Sequence, residues 1–273
     1  MTSTESLAGT VAIVTGAGRM RGTGHSIALA LAREGCDLVL HGSGSSPDSW
    51  PQSERDAGWR GLDTVAEEVA ALGRRSLIVT ADLRDSAEVD AMVATAVAEF
   101  GRVDILINNA AAAKGADRTE IVNLADDVWQ NVLAVKLDGA FHASRAVARH
   151  MIERGGGGRI VNISSGAGKN PQAKGAAYSV ANAGLQMLGA SLALELAPHG
   201  ITVNTLCPGV IATSRIDDLV SSDAYADYLA ASVPMNRAGT AEEVADAVVF
   251  LCGPGAAYIT AQSINIDGGM ISH

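Results

Sequence analysis

Aromatic residues, lysine and cysteine are all scarce in this 273-residue sequence, and no long apolar run is present. Aromatics make up 4% of the chain against 48% apolar residues, so a core must come mainly from Ala, Val, Leu and Ile. Four lysines stand against sixteen arginines, so a lysine inside a motif carries information. The net charge of -10 argues against nucleic acid or an anionic membrane surface as a partner. Cys36, Cys207 and Cys252 are odd in number, scattered and set in apolar runs. That pattern excludes a disulfide framework and fits free buried thiols in a reducing compartment. No Cys/His cluster has zinc-ligand spacing, so no metal is expected. Without a stretch of about 18 apolar residues there is no candidate membrane span. The opening MTSTESLAGT has neither a basic start nor an apolar stretch, so a signal peptide is not expected either. A cytoplasmic location follows as an expectation.

What is abundant is alternation. Strand-length apolar runs at 11–15, 38–40, 77–80, 103–108, 159–163, 202–207 and 263–266 are nearly continuous Val, Ile and Leu. Strands buried on both faces read this way. Helical patterns at 26–34, 62–72, 86–100, 126–153, 176–197 and 241–251 lie between them. The alternation predicts one α/β domain over 1–273, doubly wound, with about seven parallel strands and helices on both faces. A ligand then belongs at the carboxyl ends of the strands. Two segments break the rhythm. Residues 42–60 form a Ser-, Gly- and Pro-rich insert holding Trp50 and Trp59, and residues 211–234 read as a mobile stretch with short helical pieces.

After the first run comes Thr15-Gly16-Ala17-Gly18-Arg19-Met20-Arg21-Gly22-Thr23-Gly24, then a helix. Glycines there let the backbone turn tightly and approach a pyrophosphate resting on the helix N-terminus. The loop resembles the T-G-x-x-x-G-x-G of the short-chain dehydrogenase/reductase family, with Gly16, Gly22 and Gly24 as its glycines and two extra residues between the first and second. The resemblance runs almost end to end. Asp82-Leu83 resembles the family's adenine-contacting pair. Asn108-Asn109-Ala110-Ala111 is similar to its N-N-A-G, and Pro208-Gly209-Val210-Ile211-Ala212-Thr213 to its P-G-x-x-x-T. Tyr258-Ile259-Thr260 and Asp267-Gly268-Gly269 match its C-terminal signature.

The resemblance implies a Rossmann domain binding a nicotinamide dinucleotide through Gly16, Arg19, Arg21, Gly22, Thr23, Gly24, Ser43, Asp82, Leu83, Asn109, Ala110, Ala111, Tyr178, Asn182, Pro208, Gly209, Ile211 and Thr213. At the end of the second strand stand Gly42 and Ser43, not the carboxylate typical of NAD sites. With Arg19 and Arg21 in the loop, NADP(H) is favoured and NAD(H) remains possible. Asp48 in the insert could fold back against a 2′-phosphate.

Ser165 follows the fifth run, and Tyr178 lies thirteen residues later at the start of a long helix. This is the family's spacing for the serine that orients a substrate oxygen and the tyrosine that exchanges a proton with it. A phenol ordinarily titrates near pH 10, so work near neutrality calls for a neighbouring positive charge. The family draws it from a lysine in Y-x-x-x-K. Here the sequence is Tyr178-Ser179-Val180-Ala181-Asn182. The family's catalytic asparagine, seven residues after a tryptophan, is replaced by Lys136, seven after Trp129. The pair reads as an exchange: lysine for asparagine and asparagine for lysine, with Lys136 supplying the charge and Asn182 beside Tyr178 on one helix face. Lys169 and Lys174 are alternative sources of charge.

The 211–234 segment is expected to cap the substrate with Ile211, Ile216, Leu219, Tyr225, Tyr228 and Leu229, giving a mostly apolar pocket, with Arg215 available. A small or medium ketone, or its secondary alcohol, is the implied substrate. Relatives form homotetramers or homodimers through their two long helices, and the resemblance extends that to this chain. Two other functions stay open: a cofactor-binding homologue with little turnover, and a dehydratase or isomerase.

Overall fold

The computed structural model describes residues 6–44, 50–222 and 224–272. Seven strands follow the apolar runs: β1 (Val11–Thr15), β2 (Asp37–Gly42), β3 (Ser76–Thr80), β4 (Ile105–Asn108), β5 (Gly158–Ile163), β6 (Ile201–Pro208) and β7 (Ser263–Ile266). All pair in parallel, in the order β3-β2-β1-β4-β5-β6-β7. β2 exceeds its expected 38–40 because Asp37 and His41 register with Val11 and Thr15 of β1. β1, β4 and β6 are buried along their whole length, as central strands covered on both faces must be.

The helices are α1 (Thr23–Arg33), α2 (Gln52–Asp56), α3 (Leu62–Ala71), α4 (Ser86–Phe100), α5 (Asp126–Leu133), α6 (Gly139–Arg154), α7 (Ala176–Leu196), α8 (Asp217–Val220), α9 (Tyr225–Ser232) and α10 (Ala241–Cys252). On one face of the sheet, Ile27 and Leu31 of α1 share a core with Val244 and Val248 of α10. On the other, Val89 and Val93 of α4 share a core with Ala143 and Val147 of α6 and Ala193 of α7. α7, with the turn to His199, is long and apolar enough to cross a membrane, with a mean hydropathy of 1.2. In this fold one face of it, with Ala177, Ala181, Gly189 and Ala193, is buried, while Val180, Met187 and Leu194 on another are exposed. The three cysteines are free and buried. Burial pushes the Cys36 thiol up to about 12 and the Cys207 thiol to about 11.

The strand order reverses between β1 and β4. Chain leaving β1 travels toward β3, and chain returning through β4 travels toward β7. That switch opens a crevice at the carboxyl ends of β1 and β4.

Two elements differ from the sequence reading. The stretch expected as one helix over 126–153 is α5 and α6 joined by a single π-helical turn, Ala134–Asp138. The insert at 42–60 is not all loop. β2 runs to Gly42, and α2 forms within the insert. The insert packs on the glycine loop: Trp59 Nε1 donates to the Gly18 carbonyl (2.9 Å), and the Met20 N–H donates to the buried Glu54 (3.1 Å). Asp48 lies outside the described residues.

Candidate active site

The crevice between β1 and β4 is built by backbone contacts that only small residues allow. A Cβ on Gly24 would lie 2.5 Å from both the Gly16 carbonyl oxygen and Asn109 Nδ2. Asn109 Nδ2 donates to the carbonyls of Thr15 (2.9 Å) and Gly16 (3.0 Å). Thr15 Oγ1 accepts from the N–H groups of Asn109 (2.9 Å) and Ala110 (3.1 Å). Asn109 therefore builds the cradle with its amide committed to the chain. α1 starts beside it with Gly22 at the N-cap, no side-chain cap and no acidic residue in its first turn. Its first N–H groups have no side-chain cap and no carboxylate in the first turn to compete for them, which fits a pyrophosphate.

The expected basic groups are already engaged. Arg19 pairs with Glu54 (3.4 Å), and Arg21 with Asp217 (2.8 Å). Neither arginine stands free to meet a 2′-phosphate, because the insert and the 211–234 segment each bring a carboxylate to it. Asp82 is gripped by Arg84, whose hydrogen bonds hold its carboxyl below the ordinary range. Leu83 is buried, Ala111 and Ser43 are exposed. Pro208 ends β6, Gly209 follows with its backbone against Asp267, and Thr213 is buried after the turn. Ile211 was expected to cap the substrate, but it packs into the core on the α10 side of the sheet. Leu229 is also buried.

Ser165 follows the carboxyl end of β5, and Tyr178 lies in the first turn of α7. The serine loop approaches α7 at Gly168, where a Cβ would lie 2.9 Å from the Asn182 carbonyl carbon. Gln186 on α7 then fixes the loop from the side, donating to Ser164 Oγ (3.1 Å) and the Ser165 carbonyl (3.3 Å). Ser165 Oγ accepts from the Ala167 N–H (3.2 Å). Its own hydroxyl proton stays available to a substrate oxygen.

Lys136 rides on the π turn and is 5% exposed. The extra residue of such a turn re-aims a side chain that a regular helix would carry elsewhere. The ammonium donates to the carbonyls of Ile163 (2.6 Å), Ala110 (3.1 Å) and Asn109 (3.5 Å). It thus joins the end of β5, two residues before Ser165, to the cradle residues after β4. Burial, reinforced by repulsion from Arg215, lowers its pKa to about 7. Asn182 is fully buried, and its Nδ2 donates to the Tyr178 carbonyl one turn back (2.8 Å). This differs from an amide held out to a ribose. Asn182 Oδ1 is buried with no partner among the described residues, an acceptor that a ligand hydroxyl could satisfy. Lys169 donates to the Ser263 carbonyl (2.8 Å), and Lys174 pairs with Glu120 at the surface (3.7 Å). Both are spent outside the Ser165–Tyr178 pair.

The sequence reading missed Arg118 and undervalued Arg215. The Arg118 guanidinium lies 4.4 Å from the Tyr178 ring centroid, and that of Arg215 lies 5.1 Å from it. Arg118 comes from the loop after β4 and Arg215 from the start of the 211–234 segment, nearly a hundred residues apart. No motif links them, so spacing could not reveal the pair. They add charge beside Tyr178 to the mostly apolar surroundings expected there.

Comparison with known proteins agrees with this architecture. Residues 16–271 match a family profile described as enoyl-(acyl carrier protein) reductase. The chain is 37% identical over 262 residues to a 3-oxoacyl-[acyl-carrier-protein] reductase of Synechocystis, covering 96% of each protein. It is 32% identical over 272 residues to 2-dehydro-3-deoxy-D-gluconate 5-dehydrogenase of Escherichia coli, covering 98% of this chain and 97% of that protein. Among solved structures, carveol dehydrogenase from Mycobacterium avium in complex with NAD superposes with a TM-score of 0.88 at 28% identity, covering 98% and 99% of the two chains. A gluconate 5-dehydrogenase from Burkholderia cenocepacia, in complex with NADP and tartrate, gives 0.85 at 30% identity, covering 99% and 98%. With its parallel sheet, its glycine cradle and these relatives, the chain belongs to the short-chain dehydrogenase/reductase family, NAD(P)-dependent enzymes acting on CH–OH and C=O groups.

Proposed function

We propose that this chain interconverts a ketone and a secondary alcohol, with Tyr178 exchanging the proton of the substrate oxygen, Ser165 orienting that oxygen, and Lys136 furnishing the positive charge that Y-x-x-x-K lysines furnish in relatives. A nicotinamide dinucleotide in the cradle supplies or accepts the hydride. The observation that carries the reading is the placement of the Lys136 ammonium. A buried ammonium is costly without acceptors. Here it holds the Ala110 carbonyl on the dinucleotide side and the Ile163 carbonyl on the serine side. Asn182, in the vacated lysine position, fixes the first turn of α7 through the Tyr178 carbonyl and keeps one acceptor for the ligand. The exchange therefore leaves a cation behind the site, anchored from the neighbouring helix.

NADP(H) is the favoured cofactor in this reading, because the end of β2 carries Gly42 and Ser43 and the loop carries Arg19 and Arg21. A 2′-phosphate must compete with Glu54 and Asp217 for those guanidinium groups. The preference over NAD(H) is therefore modest, of order tenfold. The protein works in the cytoplasm as a homotetramer or homodimer, a reading supported by the exposed Val180, Met187 and Leu194 recurring every seven residues on α7.

The test is oxidation of NADPH and of NADH with a panel of cyclic and aliphatic ketones. Turnover that drops about a thousandfold or more in Tyr178→Phe supports the reading. Cofactor binding without turnover of any ketone or alcohol contradicts it and points to a binding role. Release or migration of a double bond without net oxidation of the cofactor points to a dehydratase or isomerase.

A further inference from the structure

The charges around Tyr178 do not balance. Arg118 has a counter-ion, the buried Asp117, with Nε and Oδ2 3.3 Å apart. Arg215 has no carboxylate partner among the described residues. Its Nη1 donates to the Ala112 carbonyl (3.2 Å), which leaves the rest of its donors unspent. The acidic side chains nearest in sequence are engaged elsewhere: Asp217 with Arg21, and Asp218 with Lys114. The remaining cation, Lys136, is satisfied by main-chain carbonyls alone. Both guanidinium groups stack on the ring of Tyr178, within 4.4 and 5.1 Å of its centroid, and both are only partly covered.

Resting on the oxidoreductase reading above, we propose that the substrate is an oxo acid or the matching hydroxy acid, whose carboxylate is bound by Arg215 with help from Arg118 while its carbonyl oxygen meets Tyr178 and Ser165. A substrate oxygen at the phenol hydroxyl brings its neighbouring carbon substituents near the ring on which both guanidinium groups stack. A guanidinium presents a planar fork that matches a carboxylate with two parallel hydrogen bonds. One guanidinium without a carboxylate partner beside an already paired one offers a place for a single negative charge at the ring. A monoanionic carboxylate fits that balance better than a dianionic phosphate. A neutral ketone would cover Arg215 without giving it a carboxylate partner, which disfavours it as substrate. Arg215 and Arg118 thus act as specificity-determining residues at the site where Tyr178 works.

The experiment uses three matched pairs: pyruvate, acetoacetate and levulinate, each with its methyl ester. Each is assayed as a substrate with NADPH and NADH, and each is titrated calorimetrically into protein saturated with the oxidised cofactor that binds more tightly. The expected result is an acid favoured over its ester at least tenfold in kcat/KM or in affinity, in at least one pair. Arg215→Met is expected to cut that preference at least tenfold, chiefly through KM, and Arg215→Lys to keep part of it. Arg118→Lys provides a second variant that retains the charge beside Asp117 and is expected to weaken the preference less. An acid-to-ester ratio near one in every pair overturns the proposal. So does a ratio that survives Arg215→Met, including the case where only cofactor affinity changes, since the guanidinium would then serve the dinucleotide. If no pair turns over but the acid still binds better than its ester and loses that advantage in Arg215→Met, the oxidoreductase reading fails and the anion site stands.

Discussion

An ammonium taken out of water keeps its charge only where acceptors replace the water. Lys136 has three carbonyl oxygens for this, yet burial still lowers it from 10.5 to about 7. The consequence for stability has a definite sign. Between pH 7 and 10.5 the unfolded chain holds a proton on Lys136 that the folded chain has released. Stability therefore rises with pH across that window, and the penalty for the buried charge is fully present below pH 7. Lys136→Met lacks this term. Urea unfolding of the two cofactor-free proteins from pH 7.5 to 9 is expected to favour the wild type by about 1 kcal/mol more for each pH unit. A difference that stays constant with pH would contradict the buried, depressed lysine. The proposed exchange of Lys136 and Asn182 rests on two motif positions, since both departures from the family pattern are visible in the chain. Arg118 was not legible. Its meaning lies in a stacking contact with Tyr178 across sixty residues of sequence, and no local pattern encodes such a contact.

At the scale of elements, the strands were legible because runs such as VAIVT and ILIN need burial on both faces. The π turn was not, because one inserted residue barely disturbs the apolar period of a helix while changing where Lys136 points. The insert was legible as an anomaly but not as a clamp on the glycine loop. Glu54 binds the Met20 N–H and Arg19 there, and Trp59 binds the Gly18 carbonyl. Glu54→Ala removes the loop's acceptor. The expected outcome is a loss of about 1–2 kcal/mol of stability and about a tenfold weaker dinucleotide affinity by fluorescence titration. An unchanged affinity would show that the glycine loop holds its shape without the insert.

For the whole molecule, the strand order reverses between β1 and β4, and the glycine loop, the loop after β5 and the start of α7 all follow carboxyl ends of parallel strands. The alternation of strands and helices sufficed to foresee this arrangement, because parallel strands joined by right-handed crossovers leave few topologies. The proposed assembly of copies would rest on side chains the fold leaves outside. Val180, Met187 and Leu194 line one exposed stripe of α7. Light scattering is expected to give two or four times the 27.9 kDa chain mass, and the paired change Met187→Glu with Leu194→Glu to reduce it. A monomer mass for the unaltered protein would rule out that use of the stripe.

The central claim is that Lys136, not a lysine one turn after Tyr178, provides the cation for catalysis. The most direct measurement is the pH profile of kcat/KM for carbonyl reduction between pH 6 and 9, which reports groups of the free enzyme. It compares the wild type, Lys136→Met, Asn182→Lys, and the double exchange Lys136→Asn with Asn182→Lys. The account predicts that the wild-type value falls as pH rises through about 7, when the ammonium loses its proton. Lys136→Met should be about a hundredfold slower at pH 6.5 and lack that limb, and the double exchange should recover at least tenfold of the loss. A Lys136→Met enzyme with near-wild-type kcat/KM across the whole range would contradict it.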